Sequence, residues 1–147
     1  MNSKINRGFE ILKGYENSGI ILPTRKTALS AGYDLQAAEN ALVSNKKISL
    51  VPTGLKAFML SDEVLMIYIR SSLAVKYGVT LANGVGVIDA DYNGHIILPV
   101  VSFFGEFEIK KGMRIAQGIF QKYLTVDGDK IGIGAARAGR FGSTGEF

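Results

Sequence analysis

An all-β domain of sandwich or barrel type with one short helix is the fold class this sequence predicts. Three observations point there. Short apolar runs keep the strand period, as in Val64 to Arg70, where Val64, Met66, Tyr68 and Arg70 share one face. Turn residues interrupt such runs about every ten positions, as at Val51-Pro52-Thr53-Gly54. One segment alone, Ser71 to Tyr77 closed by Gly78, reads as a helix, with serine for an N-cap and glycine for its end.

In chain order, residues 7–12 and 20–22 are brief apolar runs, ended by Pro23 and a polar Thr-Arg-Lys-Thr loop. Gly32, before Tyr33-Asp34-Leu35, suggests a bulge or a close backbone approach. Residues 47–59 hold two strands around the turn at Thr53-Gly54. From Leu81 to Pro99 the chain reads as a β-hairpin with Asn93-Gly94 at its turn, because a type I′ turn needs positive φ at both central residues. Asp89, Asp91 and Tyr92 then sit near the tip, and Gly84, Gly86 and Gly94 leave bare backbone beside them. Residues 96–104 and 113–124 are further strands, joined by an exposed 105–112 connection, and Pro99 argues for an edge strand or bulge. Arg114 and Gln117 are polar residues in an apolar strand and need partners.

Composition narrows the function. A chain of 147 residues, 47% apolar, suits one domain with a real core. No window is apolar and long enough to span a membrane, and the first residues lack a signal-peptide pattern. With no cysteine, thiolate nucleophiles and cysteine-held zinc are excluded, and a cytoplasmic protein is expected. The lone histidine, His95, excludes a multi-histidine metal site and reads as a solvated turn residue. A net charge of +4 suits a polyanionic small ligand, while no basic block interleaved with aromatics suggests a nucleic-acid groove. Arg70 before the helix N-terminus is a bidentate donor suited to phosphate. From Gly128 onward the chain holds six glycines, which reads as a tail, or as an arm whose arginines, ring and hydroxyls grip a nucleotide.

Five stretches in order resemble the signature of the trimeric deoxyuridine-triphosphate pyrophosphatases, the dUTPases. They are AGYDL at 31–35, RSSLAVKYG at 70–78, NGVGVIDADYNG at 83–94, GMRIAQ at 112–117 and RAGRFGSTG at 137–145. The resemblance implies a jelly-roll-like distorted β-barrel over residues 1–134 and a flexible arm over 135–147. It also implies a homotrimer whose three sites each draw on all subunits, with dUTP and magnesium as substrate and cofactor, and neither nucleic acid nor membrane as partner.

Carried over by position, Asp89 matches the carboxylate that activates a water for attack on the α-phosphorus, while Asp91 fixes the tip. Asn83 and the backbone of Val87 and Ile88 match the uracil reader, and Tyr92 the ring under the deoxyribose. Arg70, Ser71, Ser72 and Gln117 match phosphate contacts, and Asp34 the acidic residue of the magnesium site, acting through water. Arg137, Phe141, Ser143 and Thr144 match the closing arm, Phe141 stacking on uracil, with Arg140 an alternative to Arg137. His95 stands where the family often has glutamate, and Ile69 where many relatives have a small residue or proline.

Three other readings compete at this level, one of them a plain structural β-trimer, which would leave the polar cluster unexplained. The chain also resembles the deoxycytidine-triphosphate deaminases of the same fold, but Pro99 falls where those carry their general-base glutamate. A non-catalytic nucleotide-binding regulator is the third, and the retained Asp89 and arm residues argue against it.

Overall fold

A computed structural model describes residues 4–129 of the chain. Eleven strands and one helix succeed one another as β1 (Gly8–Ile11), β2 (Tyr33–Gln36), β3 (Ala41–Val43), β4 (Ser49–Pro52), β5 (Leu55–Phe58), β6 (Glu63–Ile69), α1 (Ser71–Tyr77), β7 (Val79–Leu81), β8 (Gly86–Asp89), β9 (Ile97–Ser102), β10 (Phe107–Ile109) and β11 (Arg114–Lys122). The all-β class with one short helix holds. Among the described residues no helix is long and apolar enough to cross a membrane.

Four ladders make the framework, and they do not close into one barrel. The largest is a four-stranded sheet in the order β2-β11-β6-β8, faced by a three-stranded sheet β4-β9-β7, with β1-β5 and β10-β3 as two-stranded pieces. All pairings are antiparallel. Their inward residues meet in one core: Leu35, Leu65, Ile67 and Ala116 from the large sheet, Val51, Val79, Leu81, Leu98 and Val100 from the smaller. Leu55, Ala57, Val43 and Ile109 complete it from the short ladders. Each such fully buried aliphatic side chain contributes roughly 1.5–3 kcal/mol of transfer free energy. The 105–112 connection is therefore not simply exposed; it contains β10, and its Ile109 is wholly buried.

The 81–99 segment departs from the hairpin. Its two apolar runs enter different sheets: Gly86–Asp89 pairs with β6, and Ile97–Ser102 pairs with β4 and β7. Neither Asn93 nor Gly94 adopts positive φ. Gly94 is required for space instead, since a Cβ there would stand 2.7 Å from the Tyr92 ring and hydroxyl. Pro99 lies within the central strand of its sheet rather than at an edge. Its carbonyl accepts from Ala82 just past the end of β7, so the missing N–H falls where the neighbouring ladder has stopped. Residues 20–22 form no strand.

Arg70, not serine, is the N-cap of α1; its backbone is extended and its carbonyl accepts from Leu73 and Ala74. Gly78 ends the helix in the left-handed conformation, donating back to the carbonyls of Ala74 and Leu73.

Glu63 opens β6 in the buried phase that Leu65 and Ile67 continue, and it is only 3% exposed. The Arg7 Nε donates to both carboxylate oxygens at 3.0 Å, and the Leu60 N–H donates to Oε2 at 3.1 Å. The Arg7 hydrogen bonds, above all, hold the Glu63 carboxyl below its ordinary value of 4.5. A carboxylate favoured in the fold adds stability above that value and loses it as pH falls through and below it. Glu63→Gln is thus expected to lower the thermal midpoint by several degrees at neutral pH. The gap to the parent should narrow on acidification below about 4.5, as read by circular dichroism melts across pH. A gap that stays constant down to strongly acid pH would show that ionisation of Glu63 contributes nothing.

Candidate functional site

The predicted site residues are spread along the four-stranded sheet, with the Arg70 group at one end and Asp89 at the other. Val87 pairs in mid-strand, and Asn83 precedes the end of β8 that faces away from Asp89. At one end Asp34 on β2 lies opposite Gln117 on β11, which lies opposite Tyr68 on β6. Arg70 follows β6 directly, its backbone N–H held by the Ile115 carbonyl at 3.1 Å. Arg70 Nη1 donates to the Arg114 carbonyl at 3.2 Å, and Arg114 Nη1 donates to Asp34 Oδ2 at 3.0 Å. Ser71 and Ser72, both exposed, open α1 beside them. The first amides of a helix have no intrahelical acceptor, so this end offers hydroxyls, amides and a guanidinium to an anion.

A β-bulge makes this grouping possible. The β11–β2 register shifts between Arg114 and Ala116, so Ile115 and Ala116 are both fully buried although adjacent in sequence. In a regular strand residues three apart face opposite ways. Here the extra residue puts both Arg114 and Gln117 on the side of Asp34. Gly32 completes the packing, since a Cβ on it would stand 2.9 Å from the Gln117 Cβ. The expectation of a close approach at Gly32 holds, while the bulge itself lies across the ladder. Arg114 thereby finds the partner that a polar residue in this strand required, and it belongs to the cluster although the sequence marked it only as polar.

At the other end Asp89 closes β8, opposite Val64 at the start of β6. It lines a depression of about 520 Å³ with Met59, Ser61, Ala90, Asp91 and Tyr123. The Asp89 carbonyl accepts from the Tyr92 N–H at 3.0 Å, which closes a turn over 89–92. Tyr92 is buried, and its hydroxyl donates to the His95 carbonyl at 2.8 Å. Val87 faces out beside Met66, whereas Ile88 packs on the core. Asn83 is exposed in the β7–β8 turn, where its carbonyl accepts from Val85. A larger groove of about 570 Å³, lined by Arg7, Phe9, Arg25, Tyr33, Phe58 and Phe120 among others, contains none of the predicted residues.

Arg70 and Asp89 are not neighbours. Arg70 stands six residues along the chain from Val64, which pairs with Asp89, and at roughly 3.3 Å per residue that is about 20 Å. A water activated at Asp89 and a phosphate held by Arg70 of the same chain are too far apart to meet on one triphosphate. Both groups share one sheet face, which carries Val64, Met66, Tyr68, Val87 and Ile119 between them, all partly or largely exposed. Arg137, Phe141, Ser143, Thr144 and Arg140 lie outside the described residues.

Asp34 is the acidic side chain of the Arg70 group. With Oδ2 engaged by Arg114, Oδ1 retains acceptor capacity, and among the described residues no three potential metal-ligating side chains converge. Such a donor set fits an ion of the magnesium kind that takes one carboxylate and otherwise keeps water and phosphate oxygens. Pro99, where the deaminase reading needs a glutamate, contributes only packing and a carbonyl.

The dUTPase family profile matches residues 18–145. A deoxyuridine 5′-triphosphate nucleotidohydrolase of Lactococcus lactis is 47% identical over 146 residues, covering 95% of this chain and 97% of its own. The enzyme of the same name from Rickettsia felis is 41% identical over 140 residues, covering 91% and 95%. Among solved structures, the dUTPase of Streptococcus mutans superposes with a TM-score of 0.75 at 41% identity, covering 82% of this chain and 99% of its own. That chain has the jelly-roll fold of its family, as the ladders here do. By the span of the family match and the identity to these relatives, the chain belongs to the dUTPase family.

Proposed function

We propose that this protein hydrolyses dUTP to dUMP and pyrophosphate in a site completed by neighbouring copies of the chain. One observation carries the reading: a member of this family keeps a carboxylate, Asp89, at the open end of β8, on the sheet face that also bears the anion-binding group.

Asp89 orients a water and takes its proton, so that the water oxygen bonds the α-phosphorus. The bond from that phosphorus to the bridging oxygen breaks, and pyrophosphate leaves. Charge growing on the phosphates meets Arg70, the first amides and hydroxyls of α1, and Gln117. Asp34 would hold magnesium through water, and the ion would supply neutralisation of phosphate charge when bound. Asn83 and the backbone of Val87 and Ile88 read the uracil edge, and the Tyr92 ring packs against the deoxyribose where a 2′-hydroxyl would need room. The family resemblance assigns Phe141 to the base and Arg137, Ser143 and Thr144 to the phosphates. Arg140 is close enough in sequence to Arg137 to share its role. In a cytoplasmic setting the reaction limits uracil in DNA and supplies dUMP for thymidylate synthesis.

The 20 Å separation supports the assembly. If Arg70 and Asp89 act on one triphosphate, they come from different chains, and the half-exposed apolar face between them supplies contact surface for a second copy. A homotrimer, as the family resemblance implies, gives three equivalent sites.

Asp89→Asn should keep the fold and lower turnover by ~10²–10⁴, the range of a positioned general base. Pyrophosphate release measured against dUTP, dTTP, dCTP and UTP checks activity and selectivity together, and ammonia release from dCTP would replace the assignment. Mixing is the sharper assay for the shared site. Asp89→Asn and Arg70→Ala, each inactive alone, should regain roughly a quarter of parent turnover when refolded together as a random cyclic trimer. Failure to complement, with heterotrimers confirmed by native mass spectrometry, would place both residues in one chain's site.

A further inference from the structure

We propose that His95 is a positioning residue for the site: its neutral imidazole, anchored on the Gly54 turn, fixes the carbonyl that holds Tyr92. Nothing in the reaction uses His95 directly, and its placement differs from the solvated turn residue that its neighbours in sequence suggest.

The His95 ring is partly buried, and its Nε2 accepts from the Gly54 N–H at 2.8 Å. That bond requires a lone pair on Nε2, so the proton of the neutral ring is on Nδ1. Tyr15 packs edge-on against the imidazole, with ring centroids 5.2 Å apart. The Gly54 turn has little freedom to follow a displaced partner. Its φ is +70°, and a Cβ there would strike Ile20 and Tyr15, so the backbone lies pressed beneath both side chains.

From this anchor a short chain of contacts reaches the backbone of Asp89. One residue beyond the imidazole, Ile96 is fixed by backbone and hydroxyl bonds: its N–H donates to Leu55 at 2.8 Å, and its carbonyl accepts from Thr53 Oγ1 at 2.7 Å. Toward the site, the His95 carbonyl accepts from the Tyr92 hydroxyl at 2.8 Å, and the Tyr92 N–H donates to the Asp89 carbonyl at 3.0 Å. The residues from 90 to 95 belong to no strand, so side-chain bonds take over from a ladder there. His95 is the point at which that stretch is tied to the second sheet's side of the molecule.

Protonation would remove the acceptor. The titratable groups around the ring are the Tyr15 hydroxyl, the Glu39 carboxylate that accepts from it at 3.2 Å, and the Tyr92 hydroxyl. Burial pushes the imidazole below its ordinary value of 6.5, against a smaller upward pull from Glu39. Burial also pushes the Tyr15 hydroxyl up, so it stays neutral while His95 titrates. A base held neutral by the fold keeps its native bond above and around 6.5 and loses it as pH falls through its lowered value.

The inference rests on the proposed dUTP hydrolysis, and its test separates the two. His95→Gln retains an acceptor that does not titrate, and His95→Leu retains none. At about pH 7.5, Gln is expected within about threefold of the parent in every constant, while Leu raises KM for dUTP roughly tenfold with kcat within about threefold, the scale of one orphaned buried donor. As pH falls from about 7.5 through the lowered value of the imidazole, the parent's KM should rise more than that of His95→Gln, since the two proteins differ only at that ring. In nuclear magnetic resonance spectra of the empty protein, the Gly54 amide should shift over the same interval in the parent and stay still in His95→Gln. Equal KM for Leu and Gln, or a constant ratio of KM between parent and Gln across pH, overturns the inference. Should His95→Leu not fold, the parent-to-Gln comparison decides alone. A parent without dUTP turnover, with the Gly54 amide still titrating, would fail the reaction and leave the anchor standing.

Discussion

Strand β6 cannot be shortened, and the site's geometry depends on that. Seven residues of β11 hold one edge of it, from Ala116 opposite Ile69 to Lys122 opposite Glu63, and β8 holds the other from Gly86 to Asp89. Because the rise per residue of a hydrogen-bonded strand is nearly constant, the Arg70 end and the Asp89 end are kept apart by a rigid ruler. No side-chain rearrangement crosses about 20 Å. In the proposed shared site, precision then comes from how copies of the sheet abut. The cost of the arrangement is a sheet face left partly exposed in the single chain, with Val87 more than half exposed.

Where the sheet deviates from regularity, it does so beside the candidate anion-binding group. The extra residue at Ile115 turns Arg114 and Gln117 to the same side, and bare backbone at Gly32, just before β2, leaves space for the Gln117 side chain. The bulge weakens its strand locally, in a sheet otherwise held by continuous pairing. At the far end of β6 a charged group occupies a core position. Glu63 tolerates burial because Arg7 and the Leu60 amide satisfy its oxygens, which ties the N-terminal segment to the strand that sets the ruler.

Much of this was legible in the sequence, because it is local. The alternation of Val64 to Ile69 and the glycine that ends α1 each fix a conformation within a few residues. The identity of the polar groups at 34, 70, 89 and 117 was legible as motif. Pairing between distant segments was not. Asn93-Gly94 between apolar runs satisfies the local rule for a hairpin, yet the runs join different sheets, and Gly94 serves the Tyr92 ring. Pro99 satisfies the local rule for an edge, yet it lies in a central strand, at the place where one neighbour has already ended. Arg114 and Gln117 appear on opposite faces until a register shift is known. Each departure arises from a partner distant in sequence.

The corner from Asp89 to Ile96 carries the consequences of a chain crossing between sheets. Within a sheet, backbone bonds fix position and tolerate many side chains, because every residue has the same donor and acceptor. Between sheets that support thins to a few isolated backbone bonds, and placement passes in part to particular side chains: the Tyr92 hydroxyl, the Thr53 hydroxyl and the His95 imidazole. These bonds are specific in chemistry, and one of them depends on an imidazole that burial holds below its ordinary value of 6.5. Asp89, the carboxylate proposed to activate water, stands at the junction, with its own backbone in the β6 ladder and the residues after it outside any ladder. Asp89 is therefore held by ladder bonds on the side that faces its own sheet. On the side of residues 90–95, its surroundings are adjustable one residue at a time.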